Sequence, residues 1–277
     1  METRTTSPAA PILVTGGTGT LGRLVVARLR EAGREVRVLS RDAHESQGIQ
    51  FVTGDLATGE GAEAAVRGVE IVVHCAGSAK GDEVKARNLL RAASDAGVRH
   101  LVYISVVGAD SIPMAGRIDR AMFGYFGAKR AAEEAIAASG NPWTTLRATQ
   151  FFDLSLVTAQ AMAKLPVIPV PAGFRFQPID SGEVADRLVE LALGAPMGLV
   201  PAIAGPRIYD WADLIRGYLQ AAGKRRAIVR VPTPGKAAAA IRDGANLAPD
   251  RAVGRRTWEE FLAERVSSRT DARSVPA

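Results

Sequence analysis

Residues 14–22 read Val14-Thr15-Gly16-Gly17-Thr18-Gly19-Thr20-Leu21-Gly22 and join two apolar segments of different periodicity. The segment before them, residues 12–14, is continuously apolar, which is typical of a buried strand. In the segment after them, residues 21–29, apolar positions recur at helical spacing. The pattern G-x-x-G-x-x-G between these segments predicts a strand, a glycine-rich turn and a helix, the order found in dinucleotide-binding sites.

Glycine suits this turn because it allows a tight bend and lets the backbone approach a pyrophosphate closely. The helix that follows offers free N–H groups and a partial positive charge to the phosphates. A flexible loop would not require apolar flanks of two different periods. We therefore predict cofactor binding by residues of the turn and the first helical turn: Gly16, Thr18, Gly19, Thr20, Leu21 and Gly22.

Strand and helix signals alternate through the first half of the chain. The sequence predicts strands at residues 12–14, 35–39, 50–52, 70–74, 101–107 and 143–146, and helices at residues 21–32, 63–67, 84–96 and 123–139. Such alternation requires right-handed crossovers between parallel strands. The predicted fold is therefore α/β, with a doubly wound parallel sheet of the Rossmann type.

The second half is less regular because prolines at positions 166, 169, 171 and 178 interrupt it. It still predicts helices at residues 182–193 and 210–222 and a strand at residues 227–231. We expect a Rossmann core at residues 10–155, and a C-terminal part at residues 156–264 that returns to the core and forms a small substrate-binding lobe. The polar ends, residues 1–9 and 265–277, are expected to be disordered.

Composition excludes several classes of protein. The net charge of +6 in 277 residues is modest and forms no dense basic stripe, so we expect no nucleic-acid partner. No segment reaches the roughly 20 apolar residues of a membrane span, so we expect no membrane partner. The single cysteine, Cys75, cannot form an internal disulfide and fits a cytoplasmic location. The three histidines are not at metal-ligand spacing, and we predict no metal.

Tyr125 and Lys129 form a Y-x-x-x-K pair near the start of a predicted helix. A spacing of four places both side chains on one helical face. An ammonium group close to a phenol favours the phenolate and lowers the pKa of such a tyrosine. Tyr125 is therefore the candidate proton donor to a developing alkoxide. Lys129 is the candidate group that lowers the pKa of Tyr125, and it can also bind the nicotinamide ribose. The alternative is an ordinary exposed pair.

Several motifs occur in a characteristic order over roughly residues 11–150: the glycine-rich turn, Ser40-Arg41, Gly54-Asp55-Leu56, His74-Cys75-Ala76-Gly77, Tyr103-Ile104-Ser105, Tyr125 with Lys129, and Trp143-Thr144-Thr145-Leu146-Arg147. In this set the chain resembles short-chain dehydrogenases/reductases of the extended or atypical kind, close to NmrA-like NAD(P)-binding proteins. The resemblance implies that Asp55 meets the adenine amino group, with Leu56 as a further cofactor contact. It also implies that Ala76 and Gly77 line the ribose and pyrophosphate, and that residues 148–151 flank the nicotinamide.

The end of the second predicted strand bears on the choice of cofactor. It reads Leu39-Ser40-Arg41, with no acidic residue at the first position where an acceptor for a ribose 2′-hydroxyl would be expected. Arg41 can instead pair with a 2′-phosphate and stack on adenine, which favours NADP over NAD. In the alternative, Arg41 is a surface residue and the neighbouring Asp42 binds the ribose, so NAD is also possible.

The resemblance is incomplete at the catalytic set. Extended members carry a serine near the substrate carbonyl, and the corresponding position here is Val107, which cannot donate a hydrogen bond. Ser105 matches an earlier serine of that run and is a candidate assistant only if the loop shifts. Asp82 stands where a structural Asn is common, and Ala148 stands where a Pro is common.

The sequence therefore predicts an NADP-dependent oxidoreductase that acts on a small organic substrate such as a carbonyl compound, an alcohol or a quinone. Two alternatives remain open. One is a non-catalytic, NmrA-like regulatory protein that senses NAD(P), which the valine at position 107 favours. The other is a nucleotide-sugar epimerase or dehydratase. A monomer or a homodimer is expected, and the substrate is not evident.

Overall fold

The computed structural model describes residues 10–77 and 81–271. The strands are β1 (Ile12–Thr15), β2 (Val36–Ser40), β3 (Ile49–Thr53), β4 (Ile71–His74), β5 (His100–Val106), β6 (Trp143–Ala148), β7 (Val167–Pro171), β8 (Arg175–Phe176), β9 (Gly198–Leu199), β10 (Tyr209–Asp210) and β11 (Ala227–Val231). The α-helices are α1 (Thr20–Glu31), α2 (Ala62–Val66), α3 (Asp82–Asp95), α4 (Arg117–Ala137), α5 (Phe152–Met162), α6 (Ser181–Leu193), α7 (Trp211–Ala221), α8 (Lys236–Arg242) and α9 (Trp258–Asp271).

A seven-stranded sheet has the order β3-β2-β1-β4-β5-β6-β9. The registered pairs β1 with β2, β1 with β4, β2 with β3, β4 with β5 and β6 with β9 are all parallel. The chain runs outward from β1 to β3 and then returns to start β4 on the other side of β1. The predicted doubly wound Rossmann sheet is confirmed. Its strand order reverses between β1 and β4, which is where such sheets bind ligands.

Burial explains why the central strands read as continuous apolar runs. Every residue of β1 and of β5 is buried, as expected for parallel strands that helices cover on both faces. The helix α1 contributes an apolar stripe of Leu21, Val25 and Leu29 at helical spacing. Burial of this stripe fixes the rotation of α1 about its axis, and the short loop from Thr15 to Thr20 places the start of the helix beside the end of β1.

The chain forms two compact units, and each consists of separate segments. Among the described residues, the first unit comprises 10–77, 81–104, 131–145 and 185–200, and the second comprises 105–130, 146–184 and 201–271. The predicted division at residue 155 does not match these units. The reason is that residues 185–200 return to the first unit, where Asp186 forms an ion pair with Arg28 of α1 and β9 pairs with β6.

The second unit has more regular structure than the prolines suggested. Its core packs α5, α7 and α9 around an aromatic cluster of Phe152, Trp258 and Phe261. A parallel pair of β7 and β11 and an antiparallel pair of β8 and β10 complete it. The elements β7, β8, β10, α5, α8 and α9 were not expected.

The helix α9 continues to Asp271, whereas we expected disorder from residue 265 onward. Arg265 explains part of this difference, because it lies 3.5 Å from Asp153 and 5.4 Å from the ring centre of Phe261. The other expected disordered residues, 1–9 and 272–277, lie outside the described part of the chain. None of the described helices combines the length and the apolar character needed to cross a lipid bilayer.

Candidate functional site

The first unit contains a cleft at the carboxyl ends of β1 to β4, with a volume of about 530 Å³. Parallel strands end at the same edge of a sheet, so the segments that follow these four strands meet there. The cleft is lined by Thr15, Gly16, Thr18, Gly19, Leu39, Ser40, Arg41, Gly54, Asp55, Leu56, Ala57, Cys75, Ala76, Gly77 and Lys85.

Gly16 allows the first loop to pack directly against the segment after β4. Its φ of +70° lies in the left-handed region. A Cβ atom at position 16 would lie 2.7 Å from both the N and the Cα of Ala76. No other residue fits this contact without displacing one of the two loops. The floor of the cleft is therefore formed by backbone, which is what close approach of a diphosphate requires.

The N-terminus of α1 has no acceptor of its own. The helix begins at Thr20, and the residue before it, Gly19, has no side chain that could accept a hydrogen bond. The first turn also contains no acidic residue. The N–H groups of Thr20, Leu21 and Gly22 therefore require an acceptor from outside the helix. A phosphate group matches both these donors and the helix dipole, so the residues present fit a dinucleotide.

A hydrogen-bond network behind the loops holds β1 and β4 together. The Thr15 Oγ1 and His74 Nδ1 atoms are 2.6 Å apart, and the Ala76 N–H donates to Thr15 Oγ1 at 3.4 Å. Both side chains are fully buried, and the His74 ring stacks on Tyr103 with centroids 5.3 Å apart. His74 therefore has a structural position behind the cleft.

Two side chains at the cleft face solvent with groups that suit a nucleotide. Arg41 is exposed and forms no hydrogen bond or ion pair with a residue that the structure describes. Asp55 accepts a hydrogen bond from the Ala57 N–H at 2.8 Å, which fixes its carboxylate at the cleft. Asp42 is not among the lining residues. Its backbone N–H donates to Ser40 Oγ at 3.3 Å.

Sequence reasoning missed Lys85, which provides a second cation in the lining. Its Nζ lies 3.7 Å from Oδ1 of the buried Asp82, one helical turn earlier on α3. One turn later, the Asn88 amide donates to the Leu56 carbonyl at 2.8 Å, which holds α3 against the segment after β3. The spacing of Asp82, Lys85 and Asn88 was the available signal, because residues three apart share a helical face.

The second unit contains a smaller pocket of about 260 Å³. It is lined by Val106, Val107, Tyr125, Phe126, Gln150, Leu154, Ser155, Thr158, Phe176, Trp211 and Asn246. Four of these residues are aromatic, and none carries a formal charge. Such walls favour an uncharged, largely apolar molecule.

The pocket contains the predicted proton donor. Tyr125 is partly exposed, whereas Lys129, one turn later on α4, is only 4% exposed. The Lys129 Nζ lies 5.8 Å from the centre of the Tyr125 ring. An ammonium group at this distance from a phenol ring is within the range of cation–π attraction. The pair is therefore brought together as the spacing predicted, although Lys129 is not among the residues lining the dinucleotide cleft.

Ser105 is not among the residues that line the pocket with Tyr125. It lies on β5, is 4% exposed, and its Oγ has no hydrogen-bond partner among the described residues. Val107 lines the pocket instead. The Val107 N–H donates to the Ala148 carbonyl at 3.0 Å, which fixes the segment after β5. A shift that brought Ser105 into the pocket would break this hydrogen bond. Gln150 lines the same pocket and was not predicted as a site residue by itself.

The site contains no group of acidic, histidine and cysteine side chains that could hold a metal, within the residues that the structure describes. Among the residues described, the charged side chains that line the dinucleotide cleft are Arg41, Lys85 and Asp55. Lys85 lies 3.7 Å from Asp82, so its charge is largely offset. Arg41 pairs with no carboxylate that the structure describes, and this cation suits a phosphorylated ligand.

Comparison with known proteins agrees with this geometry. Residues 16–193 match a family model described as NAD(P)H-binding. A ceramide reductase from Caulobacter vibrioides is 28% identical over 81% of this chain and 74% of its own. An NAD(P)H azoreductase from Xenophilus azovorans is 32% identical over 77% of this chain and 74% of its own.

A solved structure shares the fold. The NADPH complex of an Escherichia coli NADPH-dependent quinone oxidoreductase superposes with a TM-score of 0.76, at 21% identity, over 94% of this chain and 99% of that one. The expected NAD(P)-binding family is confirmed by the family model, and the solved structure shares the fold. From the matched residues 16–193 and the azoreductase relative, this chain belongs to the NAD(P)H-binding family.

Proposed function

We propose that the protein is an NADP-dependent oxidoreductase that interconverts an uncharged, largely apolar carbonyl compound and its alcohol. The observation that carries the proposal is the pocket of the second unit, in which Tyr125 belongs to a lining without formal charge. The relatives described above are reductases by name, which supports a reductive reaction.

The cofactor would be held by the first unit. The N–H groups at the start of α1 would bind the diphosphate, and the backbone of Gly16 and Ala76 would allow its close approach. Asp55 would accept a hydrogen bond from the adenine amino group. Arg41 would pair with the 2′-phosphate, which is the reason we infer a preference for NADP over NAD. Arg41 lines the cleft and Asp42 does not, which supports this choice.

The reaction requires a hydride and a proton. A reduced nicotinamide, when bound, would supply the hydride for the new C–H bond. Tyr125 donates its hydroxyl proton to the substrate oxygen as the carbonyl π bond breaks, which yields the alcohol and a tyrosine phenolate. The Lys129 ammonium stabilises this phenolate until solvent returns the proton. Binding of the nicotinamide ribose by Lys129 stays a prediction.

The pocket lining also bears on the substrate class. It contains no Lys or Arg that could bind the diphosphate of a nucleotide sugar. We therefore base the proposal on a neutral substrate rather than on the epimerase or dehydratase reaction. The non-catalytic alternative predicts a different result in an NADPH oxidation assay, because a sensor would bind NADPH without oxidising it. The cytoplasmic location and the monomeric or homodimeric state stay predictions.

The test is NADPH oxidation with apolar ketones, aldehydes and quinones as acceptors. We expect turnover with at least one of them, and a loss of about a hundredfold or more in kcat for Tyr125→Phe. Tyr218→Phe, a buried tyrosine outside the pocket lining, is the matched control and should keep full activity. Full turnover by Tyr125→Phe would overturn the role of Tyr125. Tight NADPH binding without turnover of any acceptor would favour the sensor.

A further inference from the structure

A substrate carbonyl oxygen can accept a second hydrogen bond, which Val107 cannot supply. Tyr125 is one donor, and a carbonyl oxygen has two lone pairs. The other polar side chains that line the pocket are Gln150, Ser155, Thr158 and Asn246. Their existing hydrogen bonds show which of them still has a donor to offer.

The two hydroxyl groups among the four already use their only donor within the second unit. The Thr158 hydroxyl donates to the Leu154 carbonyl at 2.8 Å, and the Ser155 hydroxyl donates to the Phe151 carbonyl at 3.4 Å. The Asn246 amide donates to the Arg175 carbonyl at 2.8 Å, and this residue is 7% exposed. Neither hydroxyl can serve the substrate oxygen without losing its bond to the backbone. Asn246 keeps a second N–H, but this residue is buried and its amide is held on the backbone of β8, whereas Gln150 is half-buried.

Gln150 has both a fixed position and a donor to spare. Its carbonyl accepts from the Ile179 N–H at 2.9 Å, which anchors its backbone just after β6. Its side-chain Nε2 donates to Ser155 Oγ at 3.2 Å. Because the Ser155 hydroxyl donates elsewhere, its oxygen can only accept here, so the nitrogen end of the amide must face Ser155. The second N–H and Oε1 of Gln150 are left to the pocket.

We propose that the Gln150 amide N–H donates a hydrogen bond to the substrate oxygen beside Tyr125, in the role that Val107 cannot fill. The inference rests on the proposed oxidoreductase function. The amide stabilises the negative charge that develops on oxygen until the Tyr125 proton arrives. In the reverse direction, Oε1 can accept the hydrogen bond of an alcohol, so one side chain serves both substrate and product.

The turnover experiment compares Gln150→Met, which keeps the length of the side chain and removes the amide, with Gln160→Met, a glutamine on α5 outside the pocket lining. We expect kcat/KM to fall about tenfold to a hundredfold in Gln150→Met and to stay unchanged in Gln160→Met. Adding Val107→Ser to Gln150→Met should restore much of the loss, because a hydroxyl then returns to the pocket wall. Unchanged kcat/KM in Gln150→Met would overturn the proposal. A lowered kcat/KM that does not recover when Val107→Ser is added would overturn it as well.

A binding experiment separates this inference from the proposed function, because it needs no turnover. Calorimetry measures the affinity of the protein for an apolar ketone, cyclohexanone, and for methylcyclohexane, which lacks the oxygen. Gln150→Met should weaken ketone binding about fivefold or more and leave hydrocarbon binding unchanged. Equal effects on both compounds would show a change of packing and overturn the proposal. If wild type turns over no acceptor but shows the ketone-specific loss, the oxygen site stands and the oxidoreductase function fails.

Discussion

Gly22 of α1 lies so close to Gly16 that a Cβ atom at position 22 would be 2.0 Å from the Gly16 carbonyl oxygen. The helix therefore starts in direct contact with the loop that forms the floor of the dinucleotide cleft. We predict that Gly22→Ala pushes these two segments apart and weakens NADPH binding about tenfold or more, with a loss of roughly 1–3 kcal/mol in the free energy of unfolding. Fluorescence titration and urea unfolding measure the two effects.

Gly124→Ala is the matched control, because Gly124 is also a helical glycine and has no atom within 4 Å of its added Cβ. This variant should bind NADPH like wild type and gain about 0.5–1 kcal/mol, since alanine has the higher helix propensity. Equal NADPH affinity in the two variants would contradict the proposed packing at Gly22.

Arg41 should determine the choice of cofactor. Removal of its guanidinium in Arg41→Ala should weaken NADPH binding by about 10- to 100-fold, the range expected of a charge-assisted hydrogen bond, and change NADH binding little. Calorimetric titration with both cofactors measures this. Arg67→Ala, which removes an equal charge outside the cleft lining, controls for long-range attraction. The idea fails if wild type binds NADH as tightly as NADPH.

Asp119 on α4 caps the short helix α8 in the second unit. Its Oδ1 accepts from the Ala237 N–H at 3.1 Å, and the side chain is 3% exposed. Asp119→Ala leaves that N–H buried without its acceptor, so we expect a loss of about 1–3 kcal/mol in the free energy of unfolding. Asp119→Asn retains an acceptor oxygen and should lose less. Identical urea midpoints for the two variants would argue against the capping role.

His100 should make stability depend on pH. Burial lowers its pKa below the ordinary value of 6.5, against a smaller opposite effect of a hydrogen bond with the Gly194 backbone. The unfolded chain therefore binds a proton at His100 more readily than the folded chain does. The free energy of unfolding should fall as pH drops from about 7 through 6.5 toward the folded-state pKa.

The comparison variant is His100→Gln, which cannot take up a proton in this range. Urea unfolding at pH 7, 6 and 5 should show a shallower decrease for His100→Gln than for wild type. If the free energy of unfolding fell equally with pH in both proteins, the pKa of His100 would be the same in the folded and unfolded chains. The hydrogen bond between His100 Nε2 and Thr144 Oγ1, at 2.8 Å, is lost or altered in the variant, so the slope rather than the absolute stability is diagnostic.

The first β-strand, its loop and α1 could be predicted because their signals are local. Three glycines and two apolar segments contain all the information, and the predicted start of the helix at residue 21 differs from the observed Thr20 by one position. The helix α4 was harder. It begins at Arg117 rather than at the predicted residue 123, and Asp119 in its first turn binds a segment 118 residues away in sequence.

The pocket of the second unit could be predicted only in part. Tyr125 and Lys129 form a motif, whereas Gln150 is a single polar residue whose position depends on Ile179 and Ser155. The helix α5 was missed because its apolar residues do not keep to one face, and Leu154 and Val157 are exposed by 58% and 62%. A helix without a clear apolar stripe gives no periodic signal.

The elements β5, α4, β6 and α6 each contribute residues to both compact units. A fragment that stops at residue 155 would lack the strand β9 and the Asp186 partner of Arg28, and would keep only part of the second unit. Exchanging the C-terminal half between relatives would sever the same contacts. Engineering of substrate choice is therefore better attempted by point substitutions in the wall around Tyr125 than by grafting whole segments.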